Sequence, residues 1–153
     1  LGAAHHYAAE FSVVQADFNA VPFAGGQFDL VVFNGSLHYA ADADATLARA
    51  YRLLAPGGAL VVMDSPMFRA DRDGRAMLED TSRRFMLDCG ITDVVRPGIG
   101  YLTFAMLDAI AVKLELQPQF FASRGPLGWR VRRNLARVRL RRAPAAFGLW
   151  VAR

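Results

Sequence analysis

The sequence predicts an α/β layered domain, and two patterns carry that prediction. Apolar runs of strand length alternate with a segment of helical periodicity, and each run ends in small or polar residues. "FDLVVFN" (28–34) and "ALVVMDS" (59–65) are nearly continuous apolar runs, as in strands covered on both faces of a parallel sheet. Between them Leu47, Ala50, Tyr51 and Leu54 recur at helical spacing. Strand, helix and strand in this order connect by right-handed crossovers in one layered sheet.

The elements follow in order. "FSVVQAD" (11–17) reads as a short strand, β-branched at its centre and closing on a carboxylate. "AVPFAGGQ" is a turn-rich loop with Pro22 and the pair Gly25–Gly26. After the 28–34 strand, Asp44 is the expected N-cap of a helix that "PGG" (56–58) stops. "DGRAMLEDTSRRFMLDCG" predicts a helix closed by Gly90, and "YLTFAMLDAIAVKLEL" (101–116) a mostly apolar one ended by Pro118. "QFFAS" (119–123) and "AFGLWVAR" (146–153) read as strands. Between them Pro126 suits a first helical position, and Leu127, Val131, Leu135 and Val138 mark an amphipathic helix over about 126–142. No internal repeat, low-complexity tract or linker is visible, so residues 1–153 read as part of one domain.

Composition limits the function classes. Apolar residues make up 54% and charged residues 21%, a globular balance, and no apolar run approaches the ~20 residues of a membrane span. No leader-like opening is read, and the single cysteine, Cys89, allows no internal disulfide, so a cytoplasmic protein is expected. Cys89 itself is expected to be a buried, inert thiol. His5 and His6 lack spaced partners, so no metal site is expected. Charge is lopsided: residues 1–115 balance at −5, whereas residues 116–153 hold nine arginines and no acid.

The segment 11–66 resembles the core of class I S-adenosylmethionine-dependent methyltransferases, in particular the type 11 group. The resemblance rests on "AD-x-x-x-x-PF", "FDLVV", a loop with "LHY", a helix ending "RLLAPGG" and the strand "ALVVMD", in that order. It implies a Rossmann-like sheet with strand order 3-2-1-4-5-7-6, mostly parallel with an antiparallel last strand. The family's opening motif, D-x-G-x-G-x-G, is not in this sequence, and the lone G-x-G of "PGIGY" (97–101) reads as a turn leading into a helix. By the family layout, the chain starts just before the third strand and lacks the first two, which leaves "FDLVVFN" as an exposed edge open to pairing with a second copy.

The resemblance also implies roles for residues at the strand ends, where ligands bind in open α/β sheets. Asp17 would meet the adenine amino group with Phe18 at the ring edge; alternatively Asp17 only caps a turn. Asn34, Gly35 and Ser36 would approach the methionine part of S-adenosylmethionine, or form an ordinary strand-to-helix bend. His38 is the candidate catalytic base for an acceptor that must lose a proton, or it packs beneath the cofactor. Tyr39, Asp64, Ser65 and Tyr101 would border a small-molecule acceptor, although a solvated strand-end carboxylate or ordinary core packing would also account for them. The arginine segment (Arg130, Arg132, Arg133, Arg137, Arg139, Arg141, Arg142) reads as a solvated face, a surface for nucleic acid or an acidic partner, or a helix lying on an anionic membrane. The expected function is methyl transfer from S-adenosylmethionine to a small molecule, incomplete in this chain. The alternative is a non-catalytic α/β module that binds nucleic acid or an acidic partner through its arginines.

Overall fold

The computed structural model describes residues 12–91, 98–123 and 125–153. Four strands form the main sheet: β1 (Phe28–Asn34), β2 (Leu54–Met63), β5 (Pro118–Ala122) and β6 (Gly148–Ala152), in the order β1-β2-β6-β5. β1 and β2 pair in parallel, whereas β6 runs antiparallel to both of its neighbours. Three strands therefore share one direction and the last opposes them. A second, two-stranded parallel sheet joins β3 (Met67–Phe68) to β4 (Leu102–Thr103). The sequence pattern did not mark it, because two residues show no period.

The connecting helices are α1 (Ala43–Leu53), α2 (Asp71–Cys89), α3 (Phe104–Lys113) and α4 (Leu127–Leu140). The core is one cluster in which Leu47 and Ala50 of α1, Leu107, Ile110 and Ala111 of α3, and Phe33, Leu60, Val62 and Trp150 of the sheet meet. A Lys113–Asp44 ion pair at 2.7 Å ties α3 to α1 at the surface.

Several local expectations are corrected. Residues 12–17 form no strand, and residue 11 lies outside the described residues. Val13 and Val14 are exposed, so their β-branched side chains have no sheet to pack against. β1 is not covered on both faces: Leu30 is 52% and Val32 44% exposed. Among the described residues β1 pairs only with β2, which makes it the edge strand that the family layout anticipates.

Asp42, not Asp44, caps α1, its side chain accepting from the Ala45 N–H at 3.0 Å. The Pro56–Gly57–Gly58 run does not end the helix; it lies inside β2. There the register against β1 shifts between the Phe28–Leu54 and Leu30–Ala59 pairs, and Gly57 takes a φ of +79°.

The helix expected over 101–116 begins only at Phe104. Thr103 caps it, accepting from the Met106 N–H at 3.1 Å. Gly90 closes α2 in the left-handed conformation as expected. Cys89 is exposed rather than buried, since α2's last turns carry Met86 and Leu87 in solvent. Pro126 is the N-cap of α4 rather than its first helical residue.

Candidate functional site

The tips of β1 and β2 lie side by side because the two strands are parallel and in register up to Asn34 and Met63. Just beyond them the chain bends sharply at Gly35, whose φ of +58° favours glycine and whose N–H donates to the Met63 carbonyl at 2.9 Å. A 3-10 turn, Leu37–Tyr39, follows. It buries Leu37 and His38 and leaves Tyr39 exposed.

Two cavities open at this end. One, of about 330 Å³, runs along β1 from Phe28 to Ser36 and is lined also by Phe18, Phe23, Arg49 and Leu53. Phe18 stands edge-on to Phe33, with ring centroids 6.5 Å apart. The loop that carries Phe18 is held on α1 through Asn19. Thr46 Oγ1 donates to Asn19 Oδ1 at 2.8 Å, and the Arg49 guanidinium donates to the Asn19 carbonyl. Asp17 Oδ1 accepts from both the backbone and the side-chain amide of Asn19 at 2.8 and 2.9 Å, so the carboxylate does cap its own turn.

The second cavity, of about 290 Å³, lies along Leu37, His38, Ile99, Tyr101 and Met106. His38 and Tyr101 meet there because the 98–101 segment packs onto the 3-10 turn. The Gly100 N–H donates to the His38 carbonyl at 3.0 Å, and a Cβ on Gly98 would stand 2.4 Å from the Ala40 carbonyl oxygen.

His38 Nδ1 lies 3.1 Å from Ser65 Oγ, a hydrogen bond that joins the β1 bend to the β2 tip. Burial lowers the His38 pKa below its ordinary 6.5, so the ring is neutral at pH 7. Ser65 is fully buried. It is thus a partner of His38 and not the open wall of an acceptor pocket that the sequence suggests.

The Tyr101 hydroxyl donates to Asp71 Oδ1 at 2.6 Å. Burial, then the Asp71 carboxylate, raises the tyrosine's pKa, while the same hydrogen bond lowers that of Asp71. Asp17, Asn34, Tyr39 and Asp64 line neither cavity. Asp64 is exposed at the β2 tip with a φ of +49°, and the Tyr39 ring lies 4.1 Å from that of His38.

Sequence reasoning missed Asn19, Thr46 and Arg49. The D-x-N spacing of "DFN" was a usable signal for the turn, but nothing in the pattern ties it to a helix some thirty residues later. His5 and His6 lie outside the described residues. Among the described residues no cluster of His, Cys, Asp or Glu could hold a metal, and no helix is long and apolar enough to cross a membrane.

Residues 2–62 match the family model described as a methyltransferase domain. A 57-residue stretch is 42% identical to the demethylmenaquinone methyltransferase of Thermus thermophilus, covering 37% of this chain and 26% of that protein. Another, of 53 residues, is 42% identical to a ubiquinone/menaquinone biosynthesis C-methyltransferase of Psychromonas ingrahamii, covering 35% and 21%. The chain thus spans about a quarter of the length of these curated relatives.

Among solved structures, the methyltransferase in a complex with the Haloferax volcanii Trm112 activator superposes with a TM-score of 0.54 at 17% identity. The match covers 98% of this chain and 63% of that one. The YcgJ protein of Bacillus subtilis superposes at 0.54 and 12%, covering 91% and 67%. These likenesses establish the Rossmann-like methyltransferase fold. The chain therefore carries a match to a methyltransferase domain over residues 2–62, within a fold shared with solved methyltransferases, and S-adenosylmethionine is the cofactor that this match implies.

Proposed function

We propose that the protein transfers a methyl group from S-adenosylmethionine to a small-molecule acceptor at the tips of β1 and β2. The observation that carries this reading is that Phe18 and Ser36, on separate segments, line one cavity that runs along β1 and reaches its tip. Its volume of about 330 Å³ is at the lower end of the range for small-molecule sites, and aromatic and aliphatic walls suit an adenine ring. The names of the relatives, which refer to ubiquinone and menaquinone chemistry, support a small-molecule acceptor.

When bound, the cofactor supplies an electrophilic methyl group on a sulfonium. The residues of this chain do the rest. Phe18 would wall the adenine, and the bend that ends at Ser36 would let the backbone approach the methionine part. The acceptor would occupy the cavity of His38 and Tyr101. Where the acceptor atom carries a proton, His38 would take that proton as the acceptor's electron pair bonds the methyl carbon and the carbon–sulfur pair stays with the sulfur. Ser65 positions that base. If the Ser65 hydroxyl turns toward the Met63 carbonyl, 3.5 Å away, His38 Nδ1–H donates to Oγ and Nε2 is left to accept the proton.

Calorimetry of the full-length protein with S-adenosylhomocysteine tests the cofactor site. Binding is expected, with Phe18→Ala weakening it about tenfold through loss of the aromatic wall. No heat of binding, or an unchanged affinity in Phe18→Ala, would overturn the assignment.

A further inference from the structure

An amphipathic surface helix ordinarily turns its apolar stripe toward the protein and its charges to solvent. α4 does the reverse. Leu127, Val131, Leu135 and Val138, at spacings of four, four and three residues, share one face and are 75%, 65%, 68% and 75% exposed. Away from the stripe, Arg133 and Arg137 line an open cavity of about 700 Å³ with Phe104, Phe120 and Trp150 of the fold, and none of the described residues of α4 is buried. On that side Arg133 also stacks on Trp129 at 4.6 Å, and Arg142 is held by Asp80 at 3.1 Å. Arg132 and Arg139, seven residues apart and both exposed, run along one edge of the apolar stripe. From residue 116 to the end of the chain there is no acidic side chain to offset them.

From this reversed orientation we infer that α4 is a docking helix for an anionic lipid surface. The four aliphatic side chains enter the acyl boundary, and Arg132 and Arg139 meet lipid phosphates or carboxylates at the headgroup level. Both halves of the pattern enter the choice. A nucleic acid would engage the arginines but give the aliphatic stripe no partner, and the stripe carries no aromatic for base stacking. A second copy docked α4 against α4 would set two arginine-edged faces against each other. A bilayer bearing acidic lipids accepts the apolar stripe and the cations together.

The test is flotation of the full-length protein with phosphatidylcholine vesicles containing or lacking about a third phosphatidylglycerol. Flotation is expected with the anionic vesicles alone and should fall at least tenfold when salt rises from 50 to 500 mM. Leu135→Glu with Val138→Glu should abolish it, and Arg132→Ser with Arg139→Ser should weaken it about tenfold. These side chains are exposed, and circular dichroism together with S-adenosylhomocysteine binding should be unchanged. Failure to float with anionic vesicles would overturn the inference. So would flotation that survives the double glutamate change, or binding confined to RNA, to heparin, or to a second copy in sedimentation.

Discussion

At the scale of single residues, His38 joins stability to the proposed chemistry. Its folded-state pKa lies below 6.5 because burial disfavours the imidazolium. As pH falls through 6.5 the unfolded chain takes up the proton before the folded one does. The resulting contribution is therefore whole above 6.5 and declines with acidification until the folded pKa is reached. The melting temperature should fall more between pH 7.5 and 5.5 in the wild type than in His38→Gln, measured by differential scanning calorimetry. Equal slopes would remove the buried neutral imidazole from the account. Gly98 is the second residue on which this end depends. A methyl group there meets the Ala40 and His38 carbonyl oxygens at 2.4 and 2.7 Å, both of them backbone atoms. Gly98→Ala should destabilise the protein by about 1–3 kcal/mol in urea titration, the range for overpacking a tight contact.

Elements show where sequence patterns reach their limit. The start of α1 was legible, yet its cap was misassigned between two aspartates two residues apart. Both fit the compositional rule, and only backbone geometry separates them: Asp42 is extended and reaches the Ala45 N–H, whereas Asp44 is already in the first turn. Asp42→Ala should cost about 1 kcal/mol, as N-cap deletions do. Asp44→Ala should cost less. Its ion pair with Lys113 is largely exposed, and its buried Oδ1 has no hydrogen-bond partner to lose. Thermal denaturation of the two variants side by side checks the order, and a larger loss in Asp44→Ala would reverse the assignment. α4 teaches the complementary lesson. Its apolar period was plain in the sequence, but periodicity states only that one face is apolar and not which way that face points.

Across the whole molecule, the four strands of the main sheet and the alternation of layers were readable, because apolar runs and helix punctuation leave dense local signals, whereas the two-residue strands β3 and β4 left none. The site was readable in part. Phe18, Ser36, His38 and Tyr101, each singled out in the sequence, line one or the other of the two cavities. The Asn19–Thr46–Arg49 attachment and the His38–Ser65 bond span about thirty residues, and no local pattern encodes such distances. The same reasoning marks β1 as a liability. Its outer side carries no partner strand among the described residues, and Leu30 and Val32 present an apolar surface there without a charge between them. Edges of this kind pair with other chains unless they are covered or charged. We propose that two copies associate through β1. Sedimentation velocity should then show a concentration-dependent dimer that Leu30→Lys dissolves. Leu30 also lines the cavity proposed for the cofactor, so the readout is the association state and not activity. The dimer should survive Leu135→Glu on α4, because the two surfaces belong to different elements. A species that stays monomeric at every concentration, or a dimer untouched by Leu30→Lys, would show that the β1 edge is not where the copies meet.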